Sequence, residues 1–299
     1  MDSDQIARIK PGSVLFNRFE VIRRLGVGSF GAVFETIDGE CGLRVAIKLE
    51  LKKYGRDEKG ETIFREAEIM EAMQGVDHFL QYFGRGKQCN CHYIIMELGS
   101  KSVAKLLQQC PMKKFSLSTS AYFAYNFVEA LKEFHKAGFL HRDVKPGNFI
   151  IKRMEHTVKI CLIDFGSVKP IENYCETLRS HNQFPFVGTI NYASPNVHRG
   201  RPYGCVDDML SAFYSFLKIN TGTLPWSKHP RKALVEKKLS IQPTELIGCK
   251  PKSVYQIYEK LRSLTCNDVI DYEWFIDKFK SLITSDRSPL DEIFECLTD

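Results

Sequence analysis

The run of residues at 141–148, His-Arg-Asp-Val-Lys-Pro-Gly-Asn, constrains this sequence more than any other feature. Asp143 offers a carboxylate that can orient a substrate hydroxyl group and accept its proton. Lys145 places positive charge where a transferred group develops negative charge. Five residues after Asp143, the amide oxygen of Asn148 can bind a metal ion. A solvated loop rarely contains all these residue types at this spacing, so the run predicts a catalytic loop.

A second carboxylate follows sixteen residues after Asn148, in the run Leu-Ile-Asp-Phe-Gly at 162–166. Asp164 is a hard oxygen ligand of the kind that binds Mg²⁺ beside nucleotide phosphates. The tripeptide Asp-Phe-Gly is common by itself. Because this tripeptide follows the run at 141–148, we interpret it as part of the same site and expect Asp164 to be a magnesium ligand.

Near the start of the chain, Gly26, Gly28 and Gly31 form the pattern G-x-G-x-x-G. A dinucleotide-binding fold would require a helix directly after this pattern. The residues at 33–37 are instead β-branched and aromatic, which predicts a strand and therefore a hairpin. The glycine-rich tip of such a hairpin can lie close over phosphates, although the pattern alone fits an ordinary hairpin equally well.

A lysine and a glutamate complete the set of candidate residues. Lys48 ends the apolar run Val-Ala-Ile-Lys at 45–48, which is typical of a buried strand and would place its cation inside a cleft, where it can hold phosphate oxygens. The helical spacing of apolar residues at 61–73 provides two candidate partners, Glu66 and Glu68. We favour Glu66 because its neighbours belong to the apolar face. Together with the two carboxylate runs and the glycines, this pair indicates in-line phosphoryl transfer from a nucleotide.

The pattern of apolar residues changes near residue 99. Before it, strand-like runs occur at 19–25, 32–37, 43–49, 79–83 and 93–98, with the helix at 61–73. After it, amphipathic or buried helices are predicted at 103–107, 118–137, 206–217, 252–264 and 272–282. Short strand-like runs at 149–151 and 158–163 lie in a loop-rich stretch. This order predicts an α+β protein with two lobes and a hinge near residues 97–100.

In these motifs the sequence resembles the protein kinase superfamily over residues 19–282. The resemblance implies a bilobal kinase fold. Residues 19–98 would form a small β-rich N-lobe that contains one helix, and residues 99–284 a larger, mainly α-helical C-lobe. An N-terminal extension at 1–18 and a C-terminal tail at 285–299 would flank the two lobes. It also implies ATP and Mg²⁺ as cofactors and protein serine or threonine side chains as substrates.

The resemblance assigns a role to each candidate residue. Asp143 would be the catalytic base, with Asn148 and Asp164 as magnesium ligands. The other residues implied in catalysis are Lys145, Lys48, Glu66 and Thr189. ATP binding is implied for Leu25, Gly26, Gly28, Gly31, Val33, Ala46, Lys48 and the hinge residues Met96, Glu97 and Leu98. Asp208 resembles the aspartate that anchors the catalytic loop.

Most kinases carry A-P-E after the activation segment, whereas this chain has Ala-Ser-Pro-Asn at 193–196, which resembles the S-I-N variant of the casein kinase 1 superfamily. The runs Leu-Pro-Trp at 224–226 and Gly-Thr-x-x-Tyr-Ala-Ser at 188–194 also resemble motifs of that superfamily. The runs at 74–78 and 196–199 resemble its tau-tubulin kinase branch. The likeness implies constitutive activity, although Thr177 and Ser180 are available for activating phosphorylation. Asn191 stands where casein kinase 1 members usually carry a basic residue, so we expect a weaker preference for phosphorylated substrates.

Other functional classes are less compatible with the sequence. A pseudokinase scaffold is the main alternative, but none of Lys48, Asp143, Asn148 and Asp164 is lost.

The net charge of +6 is too small to indicate a nucleic-acid partner. No apolar run reaches the roughly 18 residues of a membrane helix, and the first ten residues do not resemble a signal peptide. We therefore expect a protein of the cytoplasm or nucleus with reduced cysteines; the sequence gives no indication of oligomeric state.

Overall fold

The computed structural model describes residues 6, 8–27, 31–51, 61–88, 91–155, 157–171, 184–285 and 288–297. The chain divides into two compact units, Met1–Ser100 with Asp164–Gly166 and Lys101–Ile163 with Ser167–Asp299. The first unit is rich in strands and the second is mainly helical. The predicted α+β class, with a β-rich part followed by a helical part, is confirmed.

In the described part of the first unit, six strands form one antiparallel sheet in the order β1-β2-β3-β4-β6-β5. The strands are β1 (Val14–Leu15), β2 (Phe19–Val27), β3 (Gly31–Asp38), β4 (Arg44–Leu51), β5 (Tyr82–Gln88) and β6 (Cys91–Glu97). Branched and aromatic side chains favour such pleated, half-buried surfaces. Their buried members form a core that includes Phe19, Val21, Phe34, Ile47 and Leu49.

Helix α1 (Glu61–Ala72) packs against β5 and β6. Ile63, Ala67 and Met70 are buried at helical spacing, as the sequence predicts. Glu66 is buried on the same face, whereas Glu68 is exposed. This orientation directs the Glu66 carboxylate toward the sheet.

The strand predicted at 79–83 is wrong in its first part, because β5 begins only at Tyr82. Phe79 and Leu80 are buried in the turns that follow α1, so their apolar character reflects core packing and not strand pairing. The observed strand was hard to predict because it contains Gly84 and Gly86, and glycine has a low strand propensity.

The helices of the second unit, in the part that the structure describes, are α2 (Val103–Gln109), α3 (Leu117–Lys136), α4 (Pro195–His198), α5 (Cys205–Thr221), α6 (Arg231–Ser240), α7 (Pro243–Ile247), α8 (Lys252–Ser263), α9 (Tyr272–Lys280) and α10 (Pro289–Leu297). Ser102 and Ser116 cap the N-termini of α2 and α3 by accepting backbone hydrogen bonds. The long helix α3 packs against α5 and α9, and these contacts bury most of its apolar residues.

Two short antiparallel pairs of strands frame the loops that carry the predicted chemistry. β7 (Phe139–Leu140) pairs with β10 (Lys169–Pro170), and β8 (Phe149–Arg153) pairs with β9 (Val158–Leu162). The run at 141–148 therefore connects β7 to β8. The run at 162–166 leaves the end of β9. Both loops begin and end at paired strands, and the pairing therefore holds their ends in place.

Helix α10 lies in the stretch that the sequence left as a C-terminal tail. Its residues Ile293, Cys296 and Leu297 are buried, and it packs against α2 and α3. The Glu292 carboxylate accepts a hydrogen bond of 2.6 Å from the hydroxyl of Ser116. Among the helices that the structure describes, none combines the length and apolarity needed to cross a membrane.

Candidate active site

The loop at 141–148 is anchored from beneath by the buried carboxylate of Asp208, in the first turn of α5. The carboxylate accepts hydrogen bonds from the backbone N–H groups of His141 (2.8 Å) and Arg142 (2.9 Å). The hydroxyl of Tyr203 donates to it at 2.6 Å, and Nε2 of His135 lies 3.0 Å away. A buried carboxylate needs such a set of donors, because an unpaired one is costly.

The charges of this buried pair stabilise each other. Burial by itself would raise the pKa of the Asp208 carboxyl, but the hydrogen bond and charge of His135 outweigh it and hold the pKa below its ordinary value. Burial would likewise lower the pKa of His135, yet its bond to Asp208 raises the pKa above the usual range. The two groups therefore form an ion pair beneath the loop.

His141 and Arg142 fix the course of the loop above Asp208. Nε2 of His141 lies 3.1 Å from the carbonyl oxygen of Ile163, and the N–H of Asp143 donates to Nδ1 of His141 at 3.3 Å. Arg142 has a left-handed backbone with φ of 66°. Such a conformation costs a residue with a side chain about 1–2 kcal/mol, so it persists because the surrounding hydrogen bonds hold it.

The carboxylate of Asp143 forms a triangle with Lys145 and Thr189. The ammonium of Lys145 donates to Oδ2 of Asp143 at 2.6 Å and to Oγ1 of Thr189 at 3.0 Å. The hydroxyl of Thr189 donates to Oδ1 of Asp143 at 2.7 Å. Oδ2 also accepts a longer hydrogen bond from Nδ2 of Asn148 at 3.4 Å. Oδ1, with the Thr189 hydroxyl as its donor, keeps a lone pair that can accept a hydrogen bond from a substrate hydroxyl.

Gly188 is required for Thr189 to reach Asp143. Its φ of 102° is one that side chains rarely adopt, and a Cβ atom at this position would lie 2.4 Å from the carbonyl oxygen of Arg142. Only glycine lets the two backbones approach this closely.

Asn148 lies in a 3₁₀ turn formed by Pro146–Asn148, directly before β8. Its amide nitrogen donates to the backbone oxygen of Asp143 at 2.9 Å, which orients its amide oxygen away from that carbonyl. The backbone oxygen of Asn148 accepts from the N–H of Ile163 at 2.9 Å. The side chain is thus held in one orientation by the loop itself.

In the first unit, Lys48 on β4 meets two carboxylates. Its ammonium lies 2.5 Å from Oε2 of Glu66 and 3.9 Å from Oδ1 of Asp164. Burial by itself would lower the pKa of Lys48, but the two carboxylates outweigh it and raise the pKa above its ordinary value. The cation is therefore fixed on the strand and remains charged.

The side chains of Asp164 and Phe165 are held differently. The Asp164 backbone has a left-handed φ of 69°, and half of its side chain is exposed. The ring of Phe165 is buried, with its centroid 6.2 Å from that of Phe79. The aromatic anchor thus leaves the neighbouring carboxylate accessible to a ligand.

A magnesium ion fits the oxygen donors of Asn148 and Asp164 in type, because Mg²⁺ prefers carboxylate, carbonyl and water oxygens. Among the described residues, no group of three or more His, Cys, Asp or Glu side chains forms a metal site of its own. Mg²⁺ is commonly bound by one or two protein ligands together with phosphates and water. The residues present are compatible with that mode of binding.

The residues predicted to bind the nucleotide base lie on one sheet. Lys48 pairs with Val33 across the β3–β4 ladder, and Ala46 pairs with Met96 across β4–β6. Side chains of paired residues, and of residues two apart on a strand, lie on the same face. Val33, Ala46, Lys48 and Met96 therefore share one face of the sheet.

The other residues predicted to bind ATP lie on β2, at the end of β6 and in the glycine-rich pattern. Leu25 lies on β2 and Leu98 directly follows β6, each partly exposed. The Glu97 carboxylate accepts from the N–H of Gln81 at 3.1 Å. Gly28 lies outside the described residues.

The two described glycines of the glycine-rich pattern differ. A Cβ atom on Gly31 would lie 1.8 Å from the carbonyl oxygen of Leu49, so the β3–β4 pairing itself requires this glycine. At Gly26 a Cβ atom would meet nothing within 4 Å among the described residues. The fold therefore explains Gly31, whereas it gives no steric reason for Gly26.

The unusual run at 193–196 begins helix α4. The hydroxyl of Ser194 caps this helix by accepting from the N–H of Val197 at 3.2 Å, and it donates to the Asp207 carboxylate. Pro195 occupies the first turn, where proline is favoured because its missing N–H would have no helical partner. Burial raises the pKa of Asp207 to about 7. Pro195 is thus compatible with an ordered segment.

Sequence reasoning did not identify His135, Tyr203, Asp207 or Lys238. His135 and Tyr203 contact the Asp208 carboxylate, Asp207 accepts a hydrogen bond from the α4 cap Ser194, and Lys238 contacts the backbone that follows Thr189. A buried histidine in a long apolar helix and a tyrosine before an acidic pair are weak signals. Nothing in the local sequence distinguishes Lys238 from its exposed neighbours.

Comparison with known proteins gives three findings. A family model described as "Protein kinase domain" matches residues 19–285. A protein of Dictyostelium discoideum named as a probable serine/threonine-protein kinase is 29% identical over 287 residues, which cover 94% of this chain and 57% of that protein. The chain thus spans little more than half the length of that relative. The solved structure of vaccinia related kinase 3 superposes with a TM-score of 0.75 at 17% identity, covering 95% of this chain and 94% of the other.

Proposed function

We propose that this chain, which belongs to the protein kinase domain family, transfers the γ-phosphate of ATP to serine or threonine side chains of proteins. The observation that carries the proposal is the triangle of Asp143, Lys145 and Thr189 on a loop anchored by buried Asp208. A scaffold without catalysis would not need a carboxylate whose two oxygens are both oriented by hydrogen bonds.

In this mechanism Asp143 orients the substrate hydroxyl and accepts its proton as the oxygen attacks phosphorus. Lys145 provides positive charge beside the transferred group. Lys48, fixed by Glu66, binds phosphate oxygens of the nucleotide. Magnesium, when bound, would neutralise charge on the phosphates, and Asn148 and Asp164 are the residues that would hold it.

The choice of serine or threonine over tyrosine is supported by Thr189. Its hydroxyl bonds both the base and Lys145, which brings the segment after Gly188 against the catalytic carboxylate. The lobe limits at 19–98 and 99–284, like activity in the cytoplasm or nucleus, stay predictions.

The transfer assay tests this proposal directly. Purified protein is incubated with Mg²⁺, labelled ATP and casein, and the modified residues are identified by mass spectrometry. We expect phosphoserine or phosphothreonine and no transfer when Mg²⁺ is chelated. ATP binding without transfer to any protein or peptide substrate would favour the pseudokinase scaffold, and phosphotyrosine alone would contradict the assigned specificity.

At a finer level, the proposed enzyme is casein kinase 1-like, nearest in motifs to the tau-tubulin kinase branch, and constitutively active. Supporting this, the hydrogen bonds of Ser194 with Val197 and Asp207 hold the segment at 193–198, and Nε of Arg142 donates to the carbonyl oxygen of Ser167 at 2.7 Å. Thr177 and Ser180 lie outside the described residues. Phosphatase treatment should leave activity within about twofold, and a loss restored by incubation with ATP would reject constitutive activity.

The preference for phosphorylated substrates is proposed to be weak because of Asn191. A neutral amide cannot replace the charge-assisted contact of an arginine with phosphate. Supporting this, Oδ1 of Asn191 is buried and has no hydrogen-bond partner within the described residues. Paired peptides with and without a nearby phosphoserine should differ by less than about tenfold in kcat/KM, and a larger preference would contradict the proposal.

A further inference from the structure

Lys238 is buried without an acidic partner. It lies in the last turn of α6 and is only 2% exposed. Among the described residues no carboxylate lies within ion-pair distance of its Nζ atom, and the stretch at 184–201, which supplies several of its contacts, contains no aspartate or glutamate. Burying an ammonium group is costly unless it is hydrogen-bonded, so its other contacts must hold it.

Three backbone carbonyl groups surround the ammonium. Nζ of Lys238 donates to the carbonyl oxygens of Ile190 at 2.7 Å, Asn191 at 2.9 Å and Ala193 at 3.0 Å. An ammonium has three N–H donors, so each carbonyl can receive one. Three carbonyl oxygens within four residues can point at one atom only if the backbone curves around it.

Aromatic rings and a neutral histidine complete the surroundings. Nζ lies 4.8 Å from the ring centroid of Trp226 and 5.3 Å from that of Tyr214, within the range of cation–π attraction. It is also 3.3 Å from Nε2 of His198. Burial and the nearby charges of Lys238 and Arg231 lower the pKa of His198 to about 4, so its ring is neutral at pH 7.

The curved backbone is directly connected to the catalytic triangle. The N–H groups of Tyr192 and Ala193 both donate to the carbonyl oxygen of Thr189, at 2.9 Å and 3.0 Å. Trp226 donates its indole N–H to the carbonyl oxygen of Asn191 at 2.9 Å. A change in the backbone at 190–193 would therefore move Thr189, whose hydroxyl is bonded to the base.

We infer that Lys238 is a positioning residue for the protein substrate. Its ammonium fixes the backbone at 190–193 in the curved conformation that places Thr189 against Asp143 and presents this segment to the substrate. The inference rests on the proposed kinase function. Because all three hydrogen bonds go to the backbone, Lys238 determines the shape of the segment without restricting its side chains.

The test replaces Lys238 with methionine, which keeps the length of the side chain and removes its donors. A second variant, Lys238→Gln, keeps an N–H donor without the charge. Lys237→Met is the matched control, because Lys237 is the adjacent residue of α6 and its ammonium pairs at the surface with Glu245. KM and kcat are measured for a serine peptide and for ATP, with the melting temperature of each protein.

We expect kcat/KM for the peptide to fall at least ~10-fold in Lys238→Met. KM for ATP should stay within about twofold, Lys238→Gln should be intermediate and Lys237→Met unchanged. Equal losses toward peptide and ATP, unchanged peptide kinetics, or two Lys238 variants that fail to fold would assign the residue to folding alone and overturn the inference. A wild type that phosphorylates nothing would reject the kinase function itself, which separates the two failures.

Discussion

Lys48 and Lys238 are both at least partly buried, but the groups that surround their ammonium groups differ in charge. Lys48, on a strand of the first unit, retains a quarter of its side-chain exposure and contacts two carboxylates. Lys238, on a helix of the second unit, is almost completely buried and contacts three carbonyl oxygens and two aromatic rings. The charge of Lys48 is balanced by carboxylates, whereas among the described residues Lys238 has only carbonyl groups and aromatic rings around its ammonium.

The difference appears in the pKa of each group and indicates what each can do. Carboxylates raise the pKa of Lys48 despite burial, whereas burial lowers the pKa of Lys238 to about 7. A partly exposed cation beside carboxylates can still bind an incoming phosphate. A cation whose donors are all engaged by the backbone cannot bind a ligand, and its effect is to hold the chain.

Replacing Lys48 should have the largest effect. Lys48→Met removes the group proposed to bind the phosphates, so kcat/KM should fall by about 10²–10³-fold, the usual effect of losing one preorganised electrostatic contact. Steady-state phosphorylation of casein measures this. Lys87→Met, an exposed position on β5, is the control. Activity within about threefold of wild type in Lys48→Met would place phosphate binding elsewhere.

Gly188→Ala should have the next largest effect, because it forces Thr189 away from Asp143. The added Cβ meets the Arg142 carbonyl oxygen at 2.4 Å, so we expect kcat to fall at least ~10-fold. Gly138→Ala is the matched control, since Gly138 also has a positive φ but has nothing within 4 Å of the added atom. The control should lose stability only, and an equal loss of kcat in both variants would contradict a role for close approach.

The third prediction is a pH dependence of stability that belongs to Lys238 alone. In the folded protein the pKa of Lys238 is about 7, so the side chain loses its proton above that pH. In the unfolded chain the same side chain keeps its proton up to the ordinary pKa of 10.5. Stability rises with pH wherever the unfolded state binds more protons. The free energy of unfolding of wild type minus that of Lys238→Met should therefore rise by about 1 kcal/mol per pH unit between about pH 7.5 and 9.5.

Urea denaturation at a series of pH values measures that difference, with Lys237→Met as a flat reference. A difference that does not change with pH would mean that the carbonyls and rings keep Lys238 fully charged. In that case the two buried lysines would not differ in protonation, and dipoles alone would offset the cost of burial.

The same comparison explains what could be predicted from the sequence. Lys48, Asp143 and Asp164 lie in short runs whose residue types are dictated by chemistry, so these runs identified candidate residues of the site. Periodicity located α1 and most strands of the sheet, because alternation of apolar residues directly reflects burial. The predicted start of β5 was wrong because Phe79 and Leu80 are buried without being in a strand.

Lys238 and the helix α10 could not be predicted for a physical reason. The bonds of Lys238 go to the backbone of a segment more than forty residues away, and backbone carbonyl groups carry no sequence signal. Helix α10 is short, and its burial depends on faces offered by α2 and α3. Such long-range contacts depend on the folded structure.

The central claim is that Asp143 acts as the base in phosphoryl transfer, and Asp143→Asn tests it most directly. Asparagine keeps the size and a hydrogen-bonding oxygen but cannot take up a proton. With casein, Mg²⁺ and labelled ATP, wild type should transfer phosphate and the variant should be at least ~10²-fold slower at an unchanged melting temperature. A variant as active as wild type would contradict the account.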